Sequence, residues 1–478
     1  MTAAPAPRLP LPRLLTFATV SLPVAAVSSS IAIYLPRHFA SHAGISLAAV
    51  GSAFALVRLL DIWVDLALGL AMDRTRTVFG RYRAWMVAGV PVLLLAVYML
   101  YIHTAGITTA GLILWLLVLY LGLSILVLSH VAWASTLVPT YNERSRLFGV
   151  IAAVGIVGSI AVFGTPVVLA RLGQSDAGAV PTMGWMIIVA APLAVALVAL
   201  TTRETVRENL GHARFQLRDY LDLASRPTML RIMAADFCLA LGPGWLSATV
   251  LFFLMDGRGF TLTQANLLLV VSITAGFLGA PLVSRLAMRW SKHRALMVAA
   301  VGYMTTLFAI WAAPRGAFPA AVAIMFVMGF FNAAFVALIR AMTADFSDEL
   351  RLEQGQERAG LLYAITTLTQ KAAGAFSIFL TFNVLQQVGY VAKAGAHNSP
   401  EALRGLQMAS ILGPAGFVLL GAVACIGYRL NAARHAEIRQ ALDAREAAFA
   451  EAPIVQGMTG EAHASAPPEP VLARPNGG

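Results

Sequence analysis

Asp61 and Asp65 lie four residues apart inside the apolar run 47–72, and Arg58 precedes Asp61 by three. Residues three and four apart share one face of a helix, so these three form a single stripe. An ionised carboxylate at the centre of a bilayer costs about 2.5–3.5 kcal/mol on insertion scales. Such a pair is kept where it faces a partner or a wet cavity, and its chemistry is the binding and release of a proton or small cation. A structural ion pair with Arg58 is the competing reading, and both can hold if Arg58 balances one carboxylate and leaves the other free to titrate. Lys371, in Leu368-Thr-Gln-Lys-Ala-Ala-Gly, lies mid-way along a second apolar run with no acid inside it. At about 1.5 Å per residue it sits at the depth of Asp61 and Asp65. The expectation is a Lys–Asp pair between two distant segments; the alternative is a lysine that snorkels to an interface. His130 and Trp133, three apart, put an aromatic ring beside a polar group, which suits a sugar ring or an amphiphile. A histidine packed against a neighbouring hydroxyl such as Ser129 would look the same. Asp236, close to the start of its run, reads equally as a helix-terminal charge.

The elements that position these residues are helices in a membrane. The 478 residues are 59% hydrophobic and only 12% charged, where a soluble protein carries about 25% charged. Twelve apolar blocks of spanning length are expected at about 14–35, 47–72, 84–103, 110–135, 147–170, 183–201, 230–255, 263–286, 295–313, 318–341, 360–385 and 408–429. The first begins like a signal peptide but stays apolar to Tyr34, too far for a cleaved leader.

The net charge of +11 suggests nucleic acid until its distribution is read. With the N-terminus inside, 26 of the 34 Lys and Arg fall on cytoplasmic segments and 6 on the opposite loops; Arg58 and Lys371 lie within spans. That asymmetry is the positive-inside rule and implies an inner-membrane protein with both termini cytoplasmic and no nucleic-acid partner. Within the loop after the second span, Gly69, Asp73, Arg74, Arg81 and Arg83 form a basic, glycine-bounded turn. Its arginines need only anchor the membrane, whereas Asp73 suggests a pairing that holds one conformation.

Six spans precede the polar segment 203–229 and six follow it. Leu70-Ala-Met-Asp-Arg with Arg83-Ala-Trp-Met-Val-Ala is echoed by Leu286-Ala-Met-Arg-Trp with Arg294-Ala-Leu-Met-Val-Ala. The expected organisation is therefore a six-helix half (1–202), a cytoplasmic loop (203–229), a second half (230–430) and a tail (431–478) that is helical to about Ala450 and disordered from Pro453. Duplicated halves place a substrate site between them near the midplane. Cys238 and Cys425 lack any CxxC spacing and read as core residues. No HExxH, GxSxG or GxxxxGK[ST] is present, so neither a hydrolase nor an ATP-driven pump is indicated. No cofactor is expected.

Leu56-Val-Arg-Leu-Leu-Asp-Ile-Trp-Val-Asp, followed by Asp73-Arg-Thr-Arg-Thr-Val-Phe-Gly-Arg-Tyr-Arg-Ala-Trp, resembles the glycoside–pentoside–hexuronide:cation symporters, the melibiose permease-like family of the major facilitator superfamily. The likeness continues through Val131-Ala-Trp-Ala-Ser-Thr-Leu-Val-Pro, Asn142-Glu-Arg-Ser-Arg-Leu, Met342-Thr-Ala-Asp and Gln370-Lys371. The resemblance implies that Asp61 and Asp65 bind the coupling cation and that Lys371 faces them. The family's first-span sugar contacts fall near Val24 and Ala25, its fifth-span arginine near Ile151, and its fourth-span acid or amide at His130, so a galactoside site looks dismantled. Val64 and Val127 stand where oxygen-bearing ligands would complete a sodium site. Sodium wants several oxygens, while a proton needs one carboxylate.

The expectation is an all-α membrane protein with twelve helices in two halves, monomeric, and not an enzyme. It would act as a symporter of a sugar, glycoside or related solute, coupled to H+ in preference to Na+. Asp61, Asp65, Arg58 and Lys371 would serve coupling and His130 and Trp133 the substrate; no metal site is expected beyond Na+ at Asp61 and Asp65. The alternatives are a lysolipid carrier, a proton-coupled exporter, or a non-transporting receptor.

Overall fold

The computed structural model describes residues 9–75, 77–138, 141–174, 178–204, 217–355, 359–393, 395–428, 430–451, 454–456 and 462–464. They form helices α1 (Leu11–Ala18), α2 (Ser21–His42), α3 (Leu47–Arg74), α4 (Tyr82–Val97), α5 (Thr109–Leu137), α6 (Tyr141–Arg171), α7 (Ala179–Thr201), α8 (Leu217–Ala224), α9 (Pro227–Phe252), α10 (Leu262–Trp290), α11 (Lys292–Ala312), α12 (Phe318–Gln354), α13 (Ala359–Gln387), α14 (Pro400–Ala424) and α15 (Ala432–Glu451). Single π-turns extend α4 through Ile102 and α9 through Gly257. Helix is the only open element that satisfies its own backbone in hydrocarbon. Helix starts are fixed by side chains that accept the unpaired first N–H groups. Ser46 caps α3, Thr108 caps α5, Ser399 caps α14, and Thr261 with Gln264 makes a reciprocal box on α10.

Among the described residues, eleven helices are long and apolar enough to cross a membrane, α1 and α2 counting as one. The eleventh expected block, 360–385, lies within α13. That helix is 29 residues long, but Thr366, Thr367, Thr369, Gln370 and Lys371 lower its hydropathy. It packs against both α3 and α9. The tenth block, expected to end at 341, continues as helix to Gln354. Hydropathy marks where a helix leaves lipid, not where it stops; α12 ends at Gly355, which adopts φ +69°.

The two ends of the bundle differ. At the end where α14 stops, Arg226 pairs with Glu353 at 2.7 Å, and Arg231 donates to the Ile426 carbonyl at 2.6 Å. Helix α15 docks there on the α12 extension. Ile438 and Leu442 are buried, and His435 Nε2 lies 3.2 Å from Asp345 and 3.1 Å from Asp348. Helix α15 is thus packed on α12 through buried apolar and charged contacts. Beyond it Ile454–Gln456 pairs antiparallel with Ala462–Ala464, inside the stretch expected to be disordered.

At the distal end, contacts join helices from α1–α7 to helices from α9–α14. Gln386 Oε1 accepts from the Ala48 amide at 2.9 Å, and the Tyr34 hydroxyl bonds Asn266 Oδ1. Gly51 of α3 lets α13 come close: a Cβ there would stand 3.1 Å from Phe382 Cβ and 3.2 Å from the Ile378 carbonyl. This tight α3–α13 crossing sets the spacing of the charged groups on the same two helices. The repeat seen in the sequence also differs between its copies. Residues 75–81 connect α3 to α4, whereas Ser291 alone, at φ +81°, separates α10 from α11.

Candidate functional site

The stripe on α3 meets α13 and α5. Lys371 Nζ lies 2.6 Å from Asp61 Oδ2 and also contacts Asp65 Oδ2, so one ammonium joins both carboxylates. Asp61 is only 2% exposed. Its Oδ1 accepts from Ser124 Oγ at 2.9 Å, and Arg58 Nη1 approaches its Oδ2 at 3.6 Å. The Arg58 guanidinium lies over the Tyr120 ring, 5.0 Å from the centroid, a cation–π arrangement. Asp65 is less well served. Its Oδ1 is buried with no hydrogen-bond partner among the described residues. The four charges balance formally, two positive and two negative. The ammonium occupies the place between the carboxylates that an incoming cation would need.

The pair expected from depth alone, Lys371 with Asp61 and Asp65, is therefore a direct contact between α3 and α13. Ser124 and Tyr120 were missed. Their signal was present: they are four apart on α5, a polar stripe within an otherwise apolar run. Ser124 also brings a hydroxyl to the acids from the helix that carries Val127, whose own side chain packs in the hydrophobic core. Val64 packs against Leu68, Met72 and Ile125. Among the described residues no cluster of three or more His, Cys, Asp or Glu is placed to share a metal ion.

Asp236 is not a helix-terminal surface charge. It is 3% exposed, and Gln370, next to Lys371, donates to its Oδ1 at 3.1 Å. The residue beside Lys371 thus reaches a second buried carboxylate on α9.

His130 and Trp133 do share a face, but that face is closed by α1. His130 Nε2 is bonded to the Phe17 carbonyl at 2.9 Å, and its ring stacks on Phe17 with centroids 4.7 Å apart. Trp133 meets Phe17 edge-on at 5.6 Å and is fully buried. The expected hydroxyl neighbour, Ser129, bonds the Ile125 carbonyl instead. In this conformation the pair is a packed helix contact rather than an open platform for a ring.

The basic turn is organised by a residue outside it. Glu204, just beyond α7, accepts from the amides of Tyr82 at 2.9 Å and Arg83 at 3.0 Å. A carboxylate at a helix N-terminus satisfies unpaired N–H groups and complements the macrodipole. Gly80, at φ +104°, is required there: a Cβ would collide with the Glu204 carboxylate. Arg81 Nε bonds the Met72 carbonyl at 2.8 Å and its guanidinium covers the Tyr82 ring. Arg74 is exposed. Gly69 has open space where a Cβ would be, so packing does not demand glycine. The side chain of Asp73 lies outside the described residues. Cys238 and Cys425 are free thiols, half-buried and buried.

The sequence profile of the MFS/sugar transport protein family matches residues 16–432. The chain is 24% identical over 434 residues to the glucuronide carrier protein homolog of Escherichia coli K12, covering 87% of this chain and 92% of that one. It is 23% identical to the isoprimeverose transporter of Lactiplantibacillus pentosus, covering 84% and 85%. Among solved structures, the nucleoside transporter NupG superposes with a TM-score of 0.64 at 12% identity, covering 87% of this chain and 98% of that one. The E. coli fucose:proton symporter FucP gives 0.53 at 15%, with the same coverage. At those identities the structures speak for the fold alone. The profile match spans most of the chain, and the chain belongs to the MFS/sugar transport protein family, a membrane-embedded secondary transporter of the glycoside–pentoside–hexuronide symporter type within the major facilitator superfamily.

Proposed function

We propose that the protein is a symporter that couples a proton to the movement of a glycoside or related small solute across the inner membrane. The observation that carries this reading is the single ammonium of Lys371 held by two carboxylates of α3. A carboxylate that takes up a proton loses its hold on the lysine. The α3–α13 contact then weakens, and α13 is released relative to α3. Proton binding and helix movement become one event, which is what alternating access needs. Sodium fits less well. It would have to displace the ammonium and gather oxygens from two aspartates and Ser124 alone, with Val64 and Val127 supplying none. Asp65 has one oxygen without a hydrogen-bond partner among the described residues, while Asp61 keeps Ser124 and Arg58.

The remaining assignments are part of the same proposal. Helix α13 makes the twelfth span, its polarity being the mark of its function. The two six-helix sets move as halves, 1–202 and 230–430. Both termini face the cytoplasm, as the distribution of Lys and Arg supports. The distal contacts of Tyr34, Ala48 and Gly51 then close the outer side. The names of the relatives, a glucuronide carrier homolog and an isoprimeverose transporter, support a sugar derivative as solute.

The test is uptake of a panel of glycosides, pentosides and hexuronides into proteoliposomes. An imposed pH gradient, acidic outside, should drive accumulation without sodium, and Asp65→Asn should reduce it to equilibration. A strict sodium requirement with no response to the pH gradient would overturn proton coupling.

A further inference from the structure

A cavity of about 590 Å³ opens at the distal end, between α2, the start of α10, the end of α9 and the segment joining α13 to α14. That volume lies within the range of about 300–1,000 Å³ typical of small-molecule sites. Its charged lining is Arg37 on α2 and Lys393 on the α13–α14 segment with one carboxylate, Asp256, and three imidazoles stand beside them, His38 and His42 on α2 and His397 on the α13–α14 segment. The Tyr390 hydroxyl bonds that carboxylate. Burial, and then the Asp256 charge, push this phenol above its ordinary range, so it stays protonated and donates. The Arg37 guanidinium lies 5.6 Å from the Phe252 ring centroid, and the His38 and His42 rings stack at 5.2 Å.

This concentration is not explained by membrane orientation. Only 6 Lys and Arg fall on the distal loops, and two of them, Arg37 and Lys393, line this one cavity, with three of the chain's nine histidines. The positive-inside rule depletes cations on this side. Asn398 folds the α13–α14 segment into a closed loop by bonding both the amide and the carbonyl of Val391, at 2.8 and 2.9 Å, which keeps Lys393 and His397 near the opening. Guanidinium and ammonium N–H groups are donors of positive sign, which recognise carboxylates, and the imidazole N–H groups add further hydrogen-bond donors. Phe252 and Val180 add an apolar wall for a ring face or carbon chain.

We infer that this cavity is a capture site for a small hydroxylated organic carboxylate, of the size and charge of a sugar acid. The inference rests on the transport reading for its purpose but on a different set of residues. One wall comes from α2 and the other from the α13–α14 segment, so a bound carboxylate bridges the two helix sets at the distal end. Occupancy would hold that end closed over the Asp61, Asp65 and Lys371 site.

The test is equilibrium binding of labelled glucuronate to the full-length protein in nanodiscs. Glucose, which has the same ring without the carboxylate, is the comparison. Glucuronate should bind in preference to glucose. Lys393→Gln, a change on an exposed loop, should weaken glucuronate about tenfold and leave glucose unchanged; Arg37→Gln should weaken it at least as much. Equal binding of the two sugars, no detectable glucuronate binding, or glucuronate affinity unaffected by Lys393→Gln would each overturn the inference. Asp65→Asn separates the two readings. Glucuronate affinity should persist in it while uphill transport is lost. Retained uphill transport beside Lys393-dependent binding would sink the coupling proposal and leave the capture site standing.

Discussion

Removing the Lys371 ammonium should harm the protein chiefly through what it leaves behind. At 2.6 Å from Asp61, and at an effective dielectric of about 20, the gross attraction is about 6 kcal/mol. Desolvation offsets much of that, and breaking a buried pair by deleting one partner typically costs about 3–5 kcal/mol. Lys371→Ala also leaves two carboxylates one helical turn apart with Arg58 as the one cation paired to them among the described residues. The damage should fall unequally. Asp61 retains Ser124 Oγ at 2.9 Å and Arg58 at 3.6 Å, whereas Asp65 loses the one partner it has among the described residues. Lys371→Ala with Asp65→Asn should therefore recover more stability than Lys371→Ala with Asp61→Asn, with a coupling energy of about 2–3 kcal/mol for the Asp65 cycle. Equilibrium unfolding of the purified single and double variants in SDS measures it. Stabilities that add to within about 0.5 kcal/mol for both aspartates would refute the shared-ammonium reasoning.

Other outcomes follow from the same geometry. Ser124→Ala should insert and fold but lose about 1.5–3 kcal/mol of stability, the usual worth of a hydrogen bond to a charged group, measured by the same titration; no change would place the hydroxyl outside the site. Gly80→Ala should cost about 1–3 kcal/mol because it combines a positive φ with a collision at Glu204. In Glu204→Ala the cap on α4 is lost, at about 0.5–2 kcal/mol, and the Gly80→Ala penalty should shrink in the double variant. Full stability of Gly80→Ala would show that the turn relaxes freely.

What could be read in the sequence was whatever geometry makes local. The Arg58, Asp61, Asp65 stripe follows from helical spacing, and the depth of Lys371 follows from rise per residue, because a bilayer gives every span a common ruler. Two features that no ruler reaches stayed open in the sequence. His130 and Trp133 look like an open polar–aromatic face until Phe17, 113 residues away, covers them. Asp236 looks terminal until Gln370 arrives from another helix. Ser124 falls between these cases, since a single hydroxyl in an apolar run is also common as a helix-packing residue. The extension of α12 and the docking of α15 escaped for a different reason. They lie beyond the apolar run, where hydropathy carries no information and amphipathic packing of Ile438 and Leu442 decides.

The neutral sum of charges around Lys371 has an electrical meaning. Under the proposed coupling, Arg58 and Lys371 opposite Asp61 and Asp65 would add no net charge to the reorientation of the unloaded carrier, so these four groups would leave its return step indifferent to membrane voltage. One added proton makes the site monocationic. Moving that charge through the full field is worth about 2.3 kcal/mol per 100 mV, enough for a gradient of about fiftyfold. A neutral solute would ride with that charge and be concentrated by voltage as well as by pH. A solute bearing one carboxylate would cancel it, leaving both limbs of the cycle electrically silent and the pH difference as the sole driving force. The sign of the current through a voltage-clamped membrane thus reads the charge of the cargo before its identity is known.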